Sequence, residues 1–166
     1  IQTIHLVMGI IPQLYYEDSP GHVIEKRLSF SKLSFIDIGT GSGILAIQAA
    51  IMVIKSILLF DLIKFVVKAD KNLNRIFRVR ASLNNLYTFN SSKNYDIVTD
   101  NLLSKIIEDN IEKLKMLLKP GGMLILSGIS NKWENDMVNI FKISGLRIFL
   151  HKRLEEWEGF VLKLDL

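Results

Sequence analysis

A doubly wound α/β fold, with a mostly parallel seven-stranded sheet and an antiparallel C-terminal hairpin, is what this 166-residue sequence predicts. Three observations carry that expectation. From residue 34 onward, short apolar runs alternate with longer helical patterns, the mark of βαβ units joined by right-handed crossovers. The first run leads straight into glycines at 39, 41 and 43, where a first strand would turn into its helix. Two apolar runs at the end of the chain follow each other with no helix between them, as a hairpin does.

"SFIDI" (34–38) reads as the first strand, and 42–54 as its helix. "SILLF" (56–60) reads as a second strand, 64–74 as a helix, "IFRVR" (76–80) as a third strand and "YDIVTD" (95–100) as a fourth. Apolar residues at 102, 103, 106, 107, 111, 114, 117 and 118 form one helical stripe, with Glu108, Lys113 and Lys115 off it. "KPGG" (119–122) ends that helix, because proline cannot continue it and glycine permits the turn. "MLILSGI" reads as a fifth, buried strand and 132–143 as a helix closed by Gly145. "LRIFLHKRLE" and "GFVLKLDL" make the hairpin, turning around 155–158.

Composition narrows the function classes. With 49% hydrophobic and 23% charged residues the chain is globular, and its length allows one domain with a real core. A net charge of +4 with scattered Lys and Arg, grouped only at Lys26-Arg27 and His151-Lys152-Arg153, shows no basic stripe for nucleic acid. There is no cysteine, which excludes disulfides, thiolate catalysis and zinc–sulfur sites. His5, His22 and His151 are far apart in sequence, so no metal site is expected. The apolar stretch 44–60 is long enough to suggest a membrane span, but Gln48, Lys55 and Ser56 interrupt it, and a helix followed by a buried strand explains it better. A cytoplasmic chain without membrane contact is the expectation. The start at Ile1, without a leader, reads as a fragment or as a protein that has lost its front part.

The glycines ask for a ligand. Glycine lets a backbone approach a ligand with no Cβ in the way, and free N–H groups at a helix start attract polar ligand atoms. Asp37 stands two residues before Gly39 and is placed to hold that end of the loop. Asp61, directly after "SILLF", is placed to accept two ribose hydroxyls. The spacing D-x-G-x-G-x-G differs from the dinucleotide fingerprint, whose third glycine comes one residue later.

"DIGTGSG" resembles motif I of the class I methyltransferases that use S-adenosylmethionine, which have a Rossmann-like fold. More particularly, "GSGILAI", "NLL", "KPGG", "ILSGI" and "EEWEGFVL" together resemble the ribosomal protein L-eleven methyltransferases over about residues 34–163. The resemblance implies that S-adenosylmethionine is the cofactor, with Asp37, Gly39, Gly41, Gly43 and Asp61 around it. It places Asn101 beside both cofactor and substrate, as the catalytic residue. It also implies methyl transfer to amino groups of a large-subunit ribosomal protein as partner, without direct nucleic acid binding. Asn101 has a plainer alternative as N-cap of the helix that follows. The domain expectation is a methyltransferase domain over 34–166, preceded by a poorly matched segment, 1–33.

The family's Gly-Thr-Gly-x-His-x-Thr-Thr segment has no counterpart in "YYEDSPGHVIEKRLSFSK", and nothing in these 166 residues reads as long enough to supply its separate recognition domain. These departures leave two alternatives open: an inactive remnant that keeps the fold, and a methyltransferase acting on RNA or a small molecule. Among the other polar and aromatic residues, Asp100 is a further candidate for the pocket and Asp96 reads as a local cap or pair. Trp133 and Trp157 read as packing residues, and Glu155, Glu156 and Glu158 as solvated.

Overall fold

The fold is seen in a computed structural model that describes residues 32–40, 45, 49, 56–61 and 79–164. Its elements are β1 (Ser34–Ile38), β2 (Ser56–Asp61), β3 (Val79–Leu83), β4 (Tyr95–Asp100), α1 (Ser104–Met116), β5 (Leu118–Ser130), a single 3-10 turn at Asn131–Trp133, α2 (Glu134–Ile143), β6 (Leu146–Leu154) and β7 (Trp157–Leu164). They form one seven-stranded sheet in the order β3-β2-β1-β4-β5-β7-β6. The first five strands are parallel neighbours, and β7 inserts antiparallel between β5 and β6.

The near-continuous apolar runs of β1, β4 and β5 follow from this order, since central parallel strands are covered on both faces. Ile36 and Ile38 of β1, Val98 of β4 and Leu124 and Leu126 of β5 share one core with Ile107, Ile111 and Leu114 of α1. Those three α1 residues repeat at helical spacing, so one stripe of the helix meets the sheet. Met137 and Phe141 of α2, and Phe160 and Leu162 of β7, extend the same core. Leu45 and Ala49, the described residues of the expected helix at 42–54, are helical and buried. The helix expected at 64–74 lies outside the described residues.

Several element ends differ from the sequence reading. The described part of β3 runs three residues past Arg80, because it pairs with β2 up to Asp61↔Leu83. The "KPGG" segment lies inside β5 rather than before it: the β4–β5 pairing jumps from Tyr95↔Leu118 to Ile97↔Met123, and the residues between bulge out. Lys119 reaches back from this bulge to Asp96 at 2.7 Å, and Ser34 donates to the same carboxylate. Although partial burial pushes Asp96 upward, these bonds outweigh it and hold the carboxyl below its ordinary range. Its partners are thus distant in sequence rather than local.

The hairpin turn is tighter than expected. Only Glu155 and Glu156 separate β6 from β7, with Glu155 at φ +55°. Glu158 therefore lies in the sheet and is fully buried, which corrects its reading as a solvated residue. Its carboxylate meets His151 Nε2 at 2.6 Å and accepts from Arg153, which also bonds Glu134 at the start of α2. The carboxylate can be buried because two partners, His151 and Arg153, satisfy it. Trp133 and Trp157, read as packing residues, are 49% and 39% exposed and contribute little to the core. No helix among the described residues is long and apolar enough to cross a membrane, and the last five residues of the apolar stretch 44–60 belong to β2.

Candidate functional site at the carboxyl edge of the sheet

Strand register brings the predicted residues to one edge. Phe60, Ile38, Asp100 and Leu126 form a row across β2, β1, β4 and β5. One residue further along each strand come Asp61, Gly39, Asn101 and Ser127, in that spatial order. With strands about 4.8 Å apart, this second row spans roughly 14 Å at the end where open α/β sheets bind ligands. Gly41 and Gly43 lie outside the described residues, as does the side chain of Asp61.

Asp37 sits at the inner end of this edge and is fully buried. Thr99 on β4 donates to one of its oxygens at 2.8 Å, and Thr40 donates to the other at 2.5 Å. The carboxylate thereby ties the start of the glycine turn to the neighbouring strand. Gly39 adopts φ +68°, a conformation that L side chains rarely take. A Cβ there would fall 2.6 Å from Leu102 Cδ2, so the turn and the loop after β4 touch only because residue 39 has no side chain.

Asn101 follows β4, but the residue that caps α1 is Leu103, and no side-chain hydrogen bond caps the helix. The plain capping role for Asn101 is thus not realised. Its Oδ1 instead accepts a 2.9 Å bond from the Ser127 hydroxyl. Ser127 and Gly128 form a bulge in β5, where the pairing with β7 shifts between Leu126 and Ile129. Bulges re-aim side chains near functional sites, and here the bulge aims Ser127 at Asn101. Gly128, at φ +78°, completes the seat: a Cβ would lie 2.8 Å from Asn101 Oδ1 and 3.0 Å from the Leu102 carbonyl. Sequence reasoning missed Ser127, Gly128, Thr40 and Thr99. A glycine inside an apolar strand pattern was the available signal for the bulge.

Asp100 is fully buried, and neither of its oxygens has a hydrogen-bond partner of ordinary geometry among the described residues. Burial, and then the charge of Asp37, push its carboxyl well above the ordinary range, while the Leu102 N–H works in the opposite direction. The folded chain therefore holds a proton that the unfolded chain releases above its ordinary value of 3.8. The resulting stability is complete below that value and is lost as pH rises toward the folded pKa. Denaturant titrations from pH 4 to 7 are expected to show wild type losing stability relative to Asp100→Asn, by up to about 1.4 kcal/mol per pH unit. A difference that stays constant over this range would mean that Asp100 titrates normally.

Comparison with known proteins identifies relatives of the chain. The family model described as ribosomal protein L11 methyltransferase matches residues 22–165. Curated relatives named ribosomal protein L11 methyltransferase include one from Halalkalibacterium halodurans, 32% identical over 78% of this chain and 42% of its own length. Another, from Fusobacterium nucleatum, is 32% identical over 81% of this chain and 45% of its own length. The chain thus spans less than half the length of the curated relatives it matches. Among solved structures, the ribosomal protein L11 methylase of Lactobacillus delbrueckii subsp. bulgaricus superimposes with a TM-score of 0.78 at 27% identity, covering 99% of this chain and 79% of that one. An S-adenosylmethionine-dependent methyltransferase from Clostridium acetobutylicum superimposes with a TM-score of 0.68 at 16% identity over 97% of this chain and 98% of its own, a likeness of fold. The sheet order, the hairpin and the match over nearly the whole chain agree, and the chain belongs to the ribosomal protein L11 methyltransferase family.

Proposed function

We propose that residues 34–166 form the catalytic domain of a cytoplasmic protein methyltransferase that uses S-adenosylmethionine and modifies amino groups of a large-subunit ribosomal protein of the L11 type. The observation that carries this reading is the row Asp61, Gly39, Asn101, Ser127 along one strand edge. The residues present suit the cofactor: Gly39 turns in the left-handed region at φ +68° where the first strand ends, and Asn101, held by Ser127, follows the neighbouring strand at the same edge. Asp37 with Thr40 braces the glycine turn, Gly39 lets its backbone approach the methionyl end, and Asp61 accepts the ribose hydroxyls. The D-x-G-x-G-x-G spacing assigns Gly41 and Gly43, outside the described residues, to the same cofactor-binding turn.

When bound, the cofactor supplies an electrophilic methyl group on a positively charged sulfur. The chain's part is positioning. Ser127 fixes the Asn101 amide, whose Oδ1 keeps a second lone pair to accept an N–H from the substrate amine. That bond aims the nitrogen lone pair along the line of transfer, and alignment supplies much of the rate in such reactions. A lysine or α-amine reaches this point neutral, with a partly desolvated pocket lowering its proton affinity.

Calorimetric titration with S-adenosylhomocysteine, the demethylated product, tests the cofactor half of this reading. Saturable binding is expected, weakened about 10- to 150-fold in Asp61→Ala, which corresponds to the ~1.5–3 kcal/mol of hydrogen bonds involving a charged group. Unchanged affinity in that variant would remove Asp61 from the site. Methyl label from S-adenosylmethionine appearing in ribosomal protein tests the substrate half. Label in RNA or a metabolite instead would assign a different substrate, and binding without turnover would leave a cofactor-binding remnant.

A further inference from the structure

The chain's two tryptophans have no part in the positioning scheme above, yet both are well exposed, Trp133 at 49% and Trp157 at 39%. They stand on adjoining turns. Ser130, the last residue of β5, pairs with Trp157. The Asn131 N–H donates to the Glu156 carbonyl at 2.8 Å, which ties the 3-10 turn ending at Trp133 to the hairpin turn. This tip projects from the carboxyl edge of the sheet, because β5 runs on past Ser127 to Ser130. At ~3.3 Å per residue, that puts Ser130 within about 10 Å of the Ser127–Asn101 contact, a span of about three residues of extended peptide. Strand alternation sets the direction. Glu158 points at Arg153, which bonds Glu134 of α2, so Trp157 beside it faces away from α2. Ser127, next to the core residue Leu126, faces the same way.

Exposed tryptophans close to a reaction centre offer contact area to a partner, since aromatic residues are enriched where proteins bind. Charge at the tip selects which partner. Glu155 and Glu156 are exposed and form no ion pair among the described residues. Across 131–134 and 153–158, four glutamates stand against Lys132 and Arg153, in a chain whose net charge is +4; Lys152 is the next cation down β6. The face of an indole ring likewise attracts cations. We propose that this tip docks the cationic segment of the protein substrate that flanks the target amine. The indole faces take lysine or arginine side chains, Glu155 and Glu156 draw their charge, and the target amine, about three residues away along the bound segment, falls at Asn101. The inference rests on the amine-methylating reading above and adds to it a preference for substrates with Lys or Arg beside the methylated residue.

Tryptophan emission reports on this surface alone, because Trp133 and Trp157 are the only tryptophans of the chain. The full chain, with S-adenosylhomocysteine present, is titrated with a short peptide of alternating lysine and alanine, and separately with one of alternating glutamate and alanine. A saturable change in emission is expected with the lysine peptide and little with the glutamate peptide. In the double variant Glu155→Gln, Glu156→Gln the lysine peptide is expected to bind about 2- to 30-fold more weakly, the range for two exposed charge contacts. Four results would overturn the inference: no response to the lysine peptide, an equal response to both peptides, undiminished affinity in the double variant, or a response to a single-stranded oligoribonucleotide in place of the peptide. The cofactor reading is judged separately, by calorimetry. Failure to bind S-adenosylhomocysteine would overturn that reading, whereas silence toward the lysine peptide in a chain that binds it would overturn the dock alone.

Discussion

Phe160→Ala is expected to cost about 3–5 kcal/mol of folding stability, the usual range for emptying a buried aromatic site. Phe160 is fully buried on β7, between Leu126 of β5 and His151 of β6. Its ring meets Phe141 of α2 edge-on, at 5.2 Å between centroids, and the imidazole of His151 stacks over it at 4.3 Å. One side chain thus joins the helix, the hairpin and the central sheet, and none of its three supports can close the gap alone. His151 is itself held by Glu158, so removing the ring also leaves that buried carboxylate with a less ordered partner. Urea denaturation reads the loss directly. A cost below about 1 kcal/mol would mean that α2 and the hairpin collapse into the cavity and that the ring is not the joint between them. Because Leu126 precedes Ser127, the same variant is expected to loosen the seat of Asn101 and weaken ligand binding in parallel with stability.

The parallel strands were legible in the sequence because each is a short apolar run beside a helical pattern, and because glycine and acid residues mark where β1 and β2 end. Asp37, Gly39 and Asp61 were singled out because they stand at or beside the ends of β1 and β2, whereas Asn101 came from the family resemblance, and register brings them to one edge. What escaped notice depends on contacts distant in sequence. Glu158 looks like one of three surface glutamates until β7 pairs with β6 and sets it beside His151 and Arg153. The stretch "KPGG" has the chemistry of a turn, and it still bends the chain, but as a bulge within β5 that lets Lys119 find Asp96. Ser127 reads as an ordinary polar residue in a strand. Only the mismatch between β5 and β7 turns it toward Asn101, and local propensity carries no information about that pairing.

Gly128→Ala tests whether the bulge is what makes the site. The left-handed backbone at φ +78° costs a non-glycine residue roughly 1–2 kcal/mol, and forcing a methyl group into a filled space typically costs ~1–3 kcal/mol more. The new Cβ would sit 2.8 Å from Asn101 Oδ1 and 3.0 Å from the Leu102 carbonyl, both closer than ordinary contact. The Asn101 side chain can swing away; the Leu102 backbone, next to the start of α1 and with its side chain against Gly39, yields less. The expected result is therefore a stability loss of about 2–5 kcal/mol together with a larger loss of function, since relief comes mainly by displacing Asn101 from Ser127. Ser127→Ala separates the two effects. It removes the same hydrogen bond, worth about 1 kcal/mol, without disturbing the backbone, so the methyl transfer proposed above should fall while the denaturation midpoint moves little. If Gly128→Ala lowered stability but left transfer as fast as in wild type, the Ser127–Asn101 contact would be a feature of the fold alone. Equal slowing by both variants, with stability lost only in Gly128→Ala, would show that the bulge serves the reaction through the orientation of one amide.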